Sequence, residues 1–386
     1  MIPYAVIDVE TTTFAKGNPY AARNRLCYVG VTVDGINHTF CIDVGGKPYR
    51  DELAQILGLL DGVGRIVVFN GKFDLAWLYR YGIDLSDREI WDLQLAEFLS
   101  HHQSKPYPSL DETLLEYGLP PKDDTVEREY WSVGIDTDHI PTEVITRYLE
   151  QDLRCEDALY RIQLEHFPQN LRSLFRLQCQ DLLVLLEMER NGILFDFGSM
   201  AHERERTSNS LAGVDNRLRD FADRWPYFNP DSGDHVSALL YGGTVSCKVS
   251  EPYEHTYKAG KRAGLTETRN KWRLETKTYP GLVKPLEGSE LKKEGYYSTE
   301  ESTLLKLRSK ARNVIDTLLE RSKLEQLLST YLVGIPNHLE KYGWEDGIIH
   351  GTLNQCKAIT GRLSAEKPNQ QNFPEEIQKY IKTRFS

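Results

Sequence analysis

The sequence has no C-x-x-C pair. Its six cysteines stand apart at 27, 41, 155, 179, 247 and 356, which indicates neither a zinc site nor a disulfide framework and fits a reducing compartment. No apolar run reaches membrane-spanning length, and no signal-peptide pattern is present, so no membrane association is expected. Positive charge is in deficit: 47 Lys and Arg stand against 57 Asp and Glu, a net charge of −10. That argues against a generic nucleic-acid coat but leaves room for basic groups gathered in one region. What remains is an ordinary globular composition, 40% hydrophobic and 27% charged over 386 residues, long enough for two or three domains with buried cores.

The stretch Ala5-Val-Ile-Asp-Val-Glu-Thr-Thr-Thr13 opens on an apolar, β-branched run that predicts a buried strand. Asp8 and Glu10 are two residues apart, so on a strand they point to the same face. Two converging carboxylates repel unless a cation lies between them, and hard ions such as Mg²⁺ and Mn²⁺ take such oxygen ligands. Taken alone, the spacing equally fits two solvated acids at a strand end.

Farther along, Leu26–Val33 and Ile36–Asp43 read as strands joined by an Asp34-Gly35 turn. Asp51–Leu60 has helical spacing, and Arg65–Phe69 is a short buried strand. Asp74 falls in the first turn of a helix starting at Lys72, where the helix dipole favours a carboxylate whatever its function. Residues 88–118 predict helices over Glu89–Ser100 and Leu110–Tyr117, and 119–140 read as loop. A long helix follows from Pro141 to about Glu165. It carries Tyr148 and Asp152 at i and i+4, hence on one face, a spacing that many packed helices share.

Together these pieces, Asp-Val-Glu, Asn-Gly-Lys-Phe-Asp and Tyr-Leu-Glu-Gln-Asp in this order, resemble the three motifs of the DEDDy 3′–5′ exonucleases over about residues 1–165. The resemblance implies an RNase H-like fold, a mixed sheet flanked by helices. It also implies two-metal hydrolysis, with two divalent ions, Mg²⁺ or Mn²⁺, about 3.5–4 Å apart clamping the attacking and leaving oxygens. By that resemblance Asp8 bridges both ions, Glu10 and Asp152 complete the first, and Asp74 holds the second, partly through water. Tyr148 orients the attacking water; a phenol with a reference pKa near 10 is a poor base. Asn70, Phe73 and the Thr11–Thr13 backbone would lie near the terminal nucleotide.

Residues 166–244 predict a helix over Leu171–Arg190 ending at Asn191-Gly192, then Phe228-Asn-Pro-Asp-Ser232 and Leu239-Leu-Tyr-Gly242. Leu186-Glu-Met-Glu-Arg-Asn-Gly-Ile193 followed by Asp196 resembles the linker helix, and the two later stretches the thumb base, of family A (polymerase I type) DNA polymerases. Residues 245–297 break the helical pattern and carry Lys258, Lys261, Arg262, Arg269, Lys271, Arg273 and Lys277. They read either as a solvated loop or as a basic arm on a phosphate backbone, similar to insertions in bacteriophage members of the family. Ser298-Thr-Glu-Glu301 has a capping-box pattern. The helices of 298–341 follow, with Leu324, Leu327, Leu328, Tyr331 and Leu332 making one apolar stripe. Ser329-Thr-Tyr331 resembles the thumb motif, which would bring Thr330 and Tyr331 to DNA.

Within 342–386, Thr360-Gly-Arg-Leu-Ser364 and Pro368-Asn-Gln-Gln-Asn-Phe-Pro374 closely resemble the family A block along the primer–template duplex, departing at Ala365, Gln370 and Phe373. The resemblance makes Arg362, Asn369, Gln371 and Asn372 the duplex contacts, residue types that suit phosphate and minor-groove acceptors. The family's palm carboxylates and fingers are not found before Ser386. The expectation is therefore an α/β exonuclease domain, a mainly α thumb and an incomplete palm, acting on a DNA single-stranded 3′ end and a primer–template duplex. Polymerase activity is not expected from this chain alone; either it is half of a split polymerase, with a separate palm and fingers polypeptide as candidate partner, or it is a truncated product. Residues from about 345 onward would then lack sheet partners. The expected location is the cytoplasm, of a bacterial host if phage-encoded. The alternatives are a non-catalytic DNA-binding subunit of a split polymerase and an RNA-trimming nuclease similar to RNase D, against which the Thr360–Pro374 block argues.

Overall fold

The computed structural model describes residues 2–47 and 49–384. They divide into two compact units, Met1–Gly198 with Gly334–Ser386, and Ser199–Val333.

The first unit is built on a mixed five-stranded sheet. Strands β1 (Tyr4–Thr11), β2 (Leu26–Val33) and β3 (Ile36–Cys41) are antiparallel neighbours, and the Asp34-Gly35 turn between β2 and β3 has positive φ at both residues, 53° and 76°, as a two-residue hairpin requires. Helix α1 (Arg50–Leu59) leads to β4 (Arg65–Val68), which pairs parallel to β1. Helix α2 (Lys72–Arg80) leads to β5 (Glu89–Asp92), parallel to β4. The sheet order is β3-β2-β1-β4-β5. Ala5, Val6 and Ile7 are completely buried in its centre, as their apolar run predicts.

Around the sheet lie α3 (Leu93–Ser100), α4 (Leu110–Glu116), α5 (Thr125–Glu129), α6 (Thr142–His166) and α7 (Arg172–Asn191). Two expectations need correction here. Glu89–Ser100 is not one helix: its first four residues are a strand beside β4, and buried Asp92 caps α3 by accepting from Leu95 N–H at 2.8 Å. Helical spacing cannot distinguish a short buried strand when the strand leads straight into a helix. The loop at 119–140 contains α5 and two short 3₁₀ turns, Trp131–Val133 and Thr137–His139.

One close approach fixes α6. Gly30 on β2 pairs with Asp8 on β1, and a side chain at Gly30 would meet Leu153 at 2.7 Å and Leu149 at 2.9 Å. The missing Cβ lets α6 settle onto the sheet, and its buried face carries Tyr148, Asp152 and Glu156 with it.

After α7 ends at Gly192, with φ 61°, comes the short strand β6 (Ile193–Phe195) and then α8 (Phe197–Phe221) and α9 (Gly233–Tyr241), the latter capped by Ser232. Residues 245–297 are no structureless loop. Strands β7 (Gly243–Thr256) and β8 (Thr266–Tyr279) pair antiparallel along their full 14 residues. On β7 Val245, Cys247 and Val249 are more covered than Ser246, Lys248 and Ser250, but most of β8 is exposed on both faces, with Trp272 at 70% and Leu274 at 59%, so only half of the hairpin carries the alternation of a half-buried strand. Helices α10 (Glu301–Leu307) and α11 (Arg312–Gln326) follow. The capping box at Ser298–Glu301 does not form: the helix begins at Glu301 after an extended Glu300, whose N–H donates to the Ser298 hydroxyl at 3.3 Å. A π-helical turn, Leu327–Val333, closes this unit.

The chain then returns to the first unit as α12 (Gly334–Tyr342), β9 (Ile348–Ile349), β10 (Thr352–Asn354), β11 (Ser364–Glu366), α13 (Glu375–Gln378) and β12 (Ile381–Lys382). The expectation that this tail lacks sheet partners is overturned. Strand β6 pairs with β9 on one side and β12 on the other, and β10 pairs with β11. The linker after α7 supplies the missing edge. Among the described residues all six cysteines are free thiols, and no helix is long and apolar enough to cross a membrane.

Candidate active site

Three of the four expected acids converge. Ligand atoms of Asp8, Glu10 and Asp152 all lie within 4.8 Å of one another. Asp8 and Glu10 share one face of β1, and Asp152 reaches them from α6. Glu10 and Asp152 are buried; Asp8 keeps some exposure and accepts from Val9 N–H at 2.9 Å. Asp74 is buried in the first turn of α2, with Asp8 the foremost charge acting on it.

Packing like charges out of water raises the free energy of the ionised forms. Burial, then Asp152, pushes the Asp8 carboxyl up to about 7, against the pull of Lys122. Burial and the charges of Asp8 and Asp152 hold Glu10 well above the usual carboxylate range, and burial and Asp8 do the same to Asp74. Asp152 is also raised by burial, with Lys122 opposing. Tyr148 is buried with its ring edge-on to Trp131 at 5.9 Å. Burial, then Glu10 and Asp152, raises its phenol far above its ordinary value, so it holds its proton.

Three further buried or half-buried residues bear electrostatically on this centre and were not singled out from the sequence. Lys122 places Nζ 2.7 Å from Asp152 Oδ2 and 5.5 Å from the centre of the Tyr148 ring. Burial opposes its charge, but Asp152 and Tyr148 more than offset this and hold the ammonium protonated. Nothing in the Pro120-Pro121-Lys122 loop announces that role. Asp92 is buried but structural, accepting from Gly71 N–H at 2.7 Å as well as from Leu95. Glu156, four residues after Asp152 and so on the same face of α6, is 3% exposed with its Oε2 unpartnered; the i+4 spacing was the available signal.

The expected DNA-contact residues are spread along the chain. Asn70 is exposed with φ 59° just before α2. The partly buried Phe73 ring lies beside Gly17 and Thr11, whose hydroxyl also crowds Gly17. Thr11 and Thr12 are buried, and Thr13 N–H donates to Asp136 at 2.7 Å. Thr330 is exposed, whereas Tyr331 is 8% exposed and faces inward. Arg362, Asn369, Gln371 and Asn372 are all exposed, while two of the departures from the family block, Ala365 and Phe373, are buried: Ala365 against Leu185 and Leu353, Phe373 edge-on to Phe195 at 5.7 Å. A second acidic set, Glu97, His101 and Glu116, is matched within the protein, since His101 pairs with both acids and Lys105 with Glu116.

Residues 278–386 match the family model of DNA polymerase family A. The chain is 23% identical to the DNA polymerase of Bacillus phage SP01 over 81% of its own length and 34% of that protein, and 25% identical to DNA polymerase I of Synechocystis over 84% and 28%. It spans about a third of the length of these curated relatives. In fold it resembles the POL domain of Pol1 from M. smegmatis, solved in complex with DNA primer-template and dNTP, with a TM-score of 0.66 at 18% identity, covering 96% of this chain and 52% of that one. By these matches the chain is related to the family A DNA polymerases, over part of their length.

Proposed function

We propose that this chain is the 3′–5′ exonuclease portion of a family A DNA polymerase, trimming DNA 3′ ends by two-metal-ion hydrolysis, a proofreading role. The observation that carries the reading is the convergence of Asp8, Glu10 and Asp152 within 4.8 Å, beside buried Asp74. The mixed sheet flanked by helices supports the RNase H-like reading of residues 1–165.

The donor set fits hard divalent ions: every donor is a carboxylate oxygen, and Asp152 Oδ1 and Glu156 Oε2 are buried without a hydrogen-bond partner, an arrangement a cation relieves. Glu10 and Asp152 would hold one ion, Asp74 the other, and Asp8, between them in charge coupling, both. Bound Mg²⁺ or Mn²⁺ supplies Lewis acidity and charge neutralisation at the scissile phosphate. Tyr148 keeps its proton, so its hydroxyl donates to and orients the attacking water rather than deprotonating it. The buried ammonium of Lys122 holds Asp152 in place. Asn70 and Phe73 would meet the terminal nucleotide, with Thr330 and Tyr331 assigned to the thumb contact. Arg362, Asn369, Gln371 and Asn372 would hold the duplex through groups that tolerate any sequence.

The test is 5′-labelled single-stranded DNA with Mg²⁺, wild type beside Asp8→Ala/Glu10→Ala. A ladder shortening from the 3′ end, absent in the variant, is expected; DNA bound but uncut by both proteins sinks the reading. One observation favours a second reading, a non-catalytic DNA-binding subunit: Lys122 already neutralises part of the cluster. Under the nuclease reading Asp74→Ala abolishes hydrolysis and spares binding; under the second there is no hydrolysis to lose.

A further inference from the structure

We propose that Glu156 is a fifth carboxylate of the ion centre, acting on the ion beside Asp74 through that ion's water rather than as a direct ligand. The inference rests on the nuclease reading. Glu156 lies on the α6 face that Gly30 allows onto the sheet, and it is 3% exposed. Its Oε2 has no hydrogen-bond partner. The charges bearing on it are, in order, Asp8, Asp74 and Asp152, with Lys122 opposing. A buried carboxylate facing three others and lacking a donor is costly to fold. An apolar residue or an amide would fill the space more cheaply unless a cation is to arrive.

The geometry bears on the mode of action. Asp8, Glu10 and Asp152 close to within 4.8 Å, but among the described residues no such set includes Glu156 or Asp74, so both would reach an ion at least partly through water. Mg²⁺ gives up its water reluctantly and keeps several molecules in protein sites, which a carboxylate one layer out can bind and orient. Five carboxylates and the Lys122 ammonium leave four negative charges when ionised, which two divalent cations match. With Glu156 neutral the site is matched to fewer positive charges, and the less tightly held ion is the one to suffer.

The experiment uses the full chain, stripped of metal and titrated with Mn²⁺, with binding followed by electron paramagnetic resonance and stability by thermal melting. Wild type should bind two ions. Glu156→Gln should weaken one of them by about 10–100-fold and leave the other unchanged. Without metal, Glu156→Gln should melt higher than wild type, because it removes a buried carboxyl whose ionisation burial and its acidic neighbours oppose, and it should gain less from added Mn²⁺. Glu156→Ala should share the Mn²⁺ defect. Unchanged Mn²⁺ binding in Glu156→Gln, or a lower melting temperature with and without metal alike, overturns the inference and leaves the nuclease reading standing. A wild type that binds no Mn²⁺ overturns both.

Discussion

In the carboxylate cluster, Glu10, Asp74, Asp152 and Glu156 are all buried, whereas Arg362, Asn369, Gln371 and Asn372 stand in solvent on a segment held down by Ala365 and Phe373. The same chain thus treats polar groups in two ways. The cluster is assembled against electrostatic resistance, visible in the raised carboxyls of Asp8, Glu10 and Asp74. The block spends Ala365 and Phe373 on folding and leaves Arg362, Asn369, Gln371 and Asn372 exposed. Under the proposed nuclease reading, the cluster gathers the groups that do chemistry, and the block leaves its DNA-holding groups where water can be exchanged for phosphate.

The contrast can be broken in several places. The largest effect is expected from Asp8→Ala/Glu10→Ala, which should cut 3′ trimming by about 10³-fold or more while DNA binding persists; single-turnover assays check this. The same site should show its strain with pH. The folded Asp8 carboxyl is raised to about 7 from an ordinary 3.8, so the folded state keeps a proton that the unfolded chain has lost. Metal-free stability should therefore be highest in acid and fall as pH climbs from about 4 through about 7. Melting in EDTA across that window tests it, and Asp8→Asn should flatten the curve; a wild type already flat would break the claim of strain.

Tyr148→Phe should slow hydrolysis by about 10²-fold without altering the pH profile below about 9, since the phenol does not titrate there; a shifted profile would make it a base after all. Gly30→Ala should destabilise by about 1–3 kcal/mol through overpacking. It should also slow trimming, because α6 must lift Asp152 and Tyr148 off the sheet. On the other side of the comparison, Arg362→Ala should weaken duplex binding and lower the salt slope by about 1, with trimming of single strands unchanged. The smallest effect is expected in the β7–β8 hairpin, where Trp272→Ala at 70% exposure should shift stability by no more than about 0.5 kcal/mol.

Much of the cluster was legible because strand and helix periods are geometric. Two residues apart on β1 put Asp8 and Glu10 together, and four apart on α6 put Tyr148 and Asp152 together. The i+4 step that continues to Glu156 was equally available, but a lone acid on a helix looks solvated until the packing of α6 on Gly30 is seen. Lys122 was not legible, because a loop residue's partner is decided by tertiary folding. The β5 strand was hidden because its four residues, three of them buried, run directly into α3, and the β7–β8 hairpin because most of β8 is exposed on both faces. The pairing of β9 and β12 with β6 was missed because it joins residues far apart in the chain, as Ile193 with Ile349 and Leu194 with Lys382.

Lys72 sits two residues before Asp74. Its ammonium lies 2.5 Å from Glu189 on α7 and donates to the Leu353 carbonyl, while Leu353 N–H donates to the same Glu189 oxygen at 2.6 Å. The corner that aims Asp74 is therefore moored to the strand that pairs with Ser364–Glu366. Shortening the chain before Leu353 would cut that mooring, so a fragment ending near residue 165 would keep every acid of the centre and still lose the anchor of one of them.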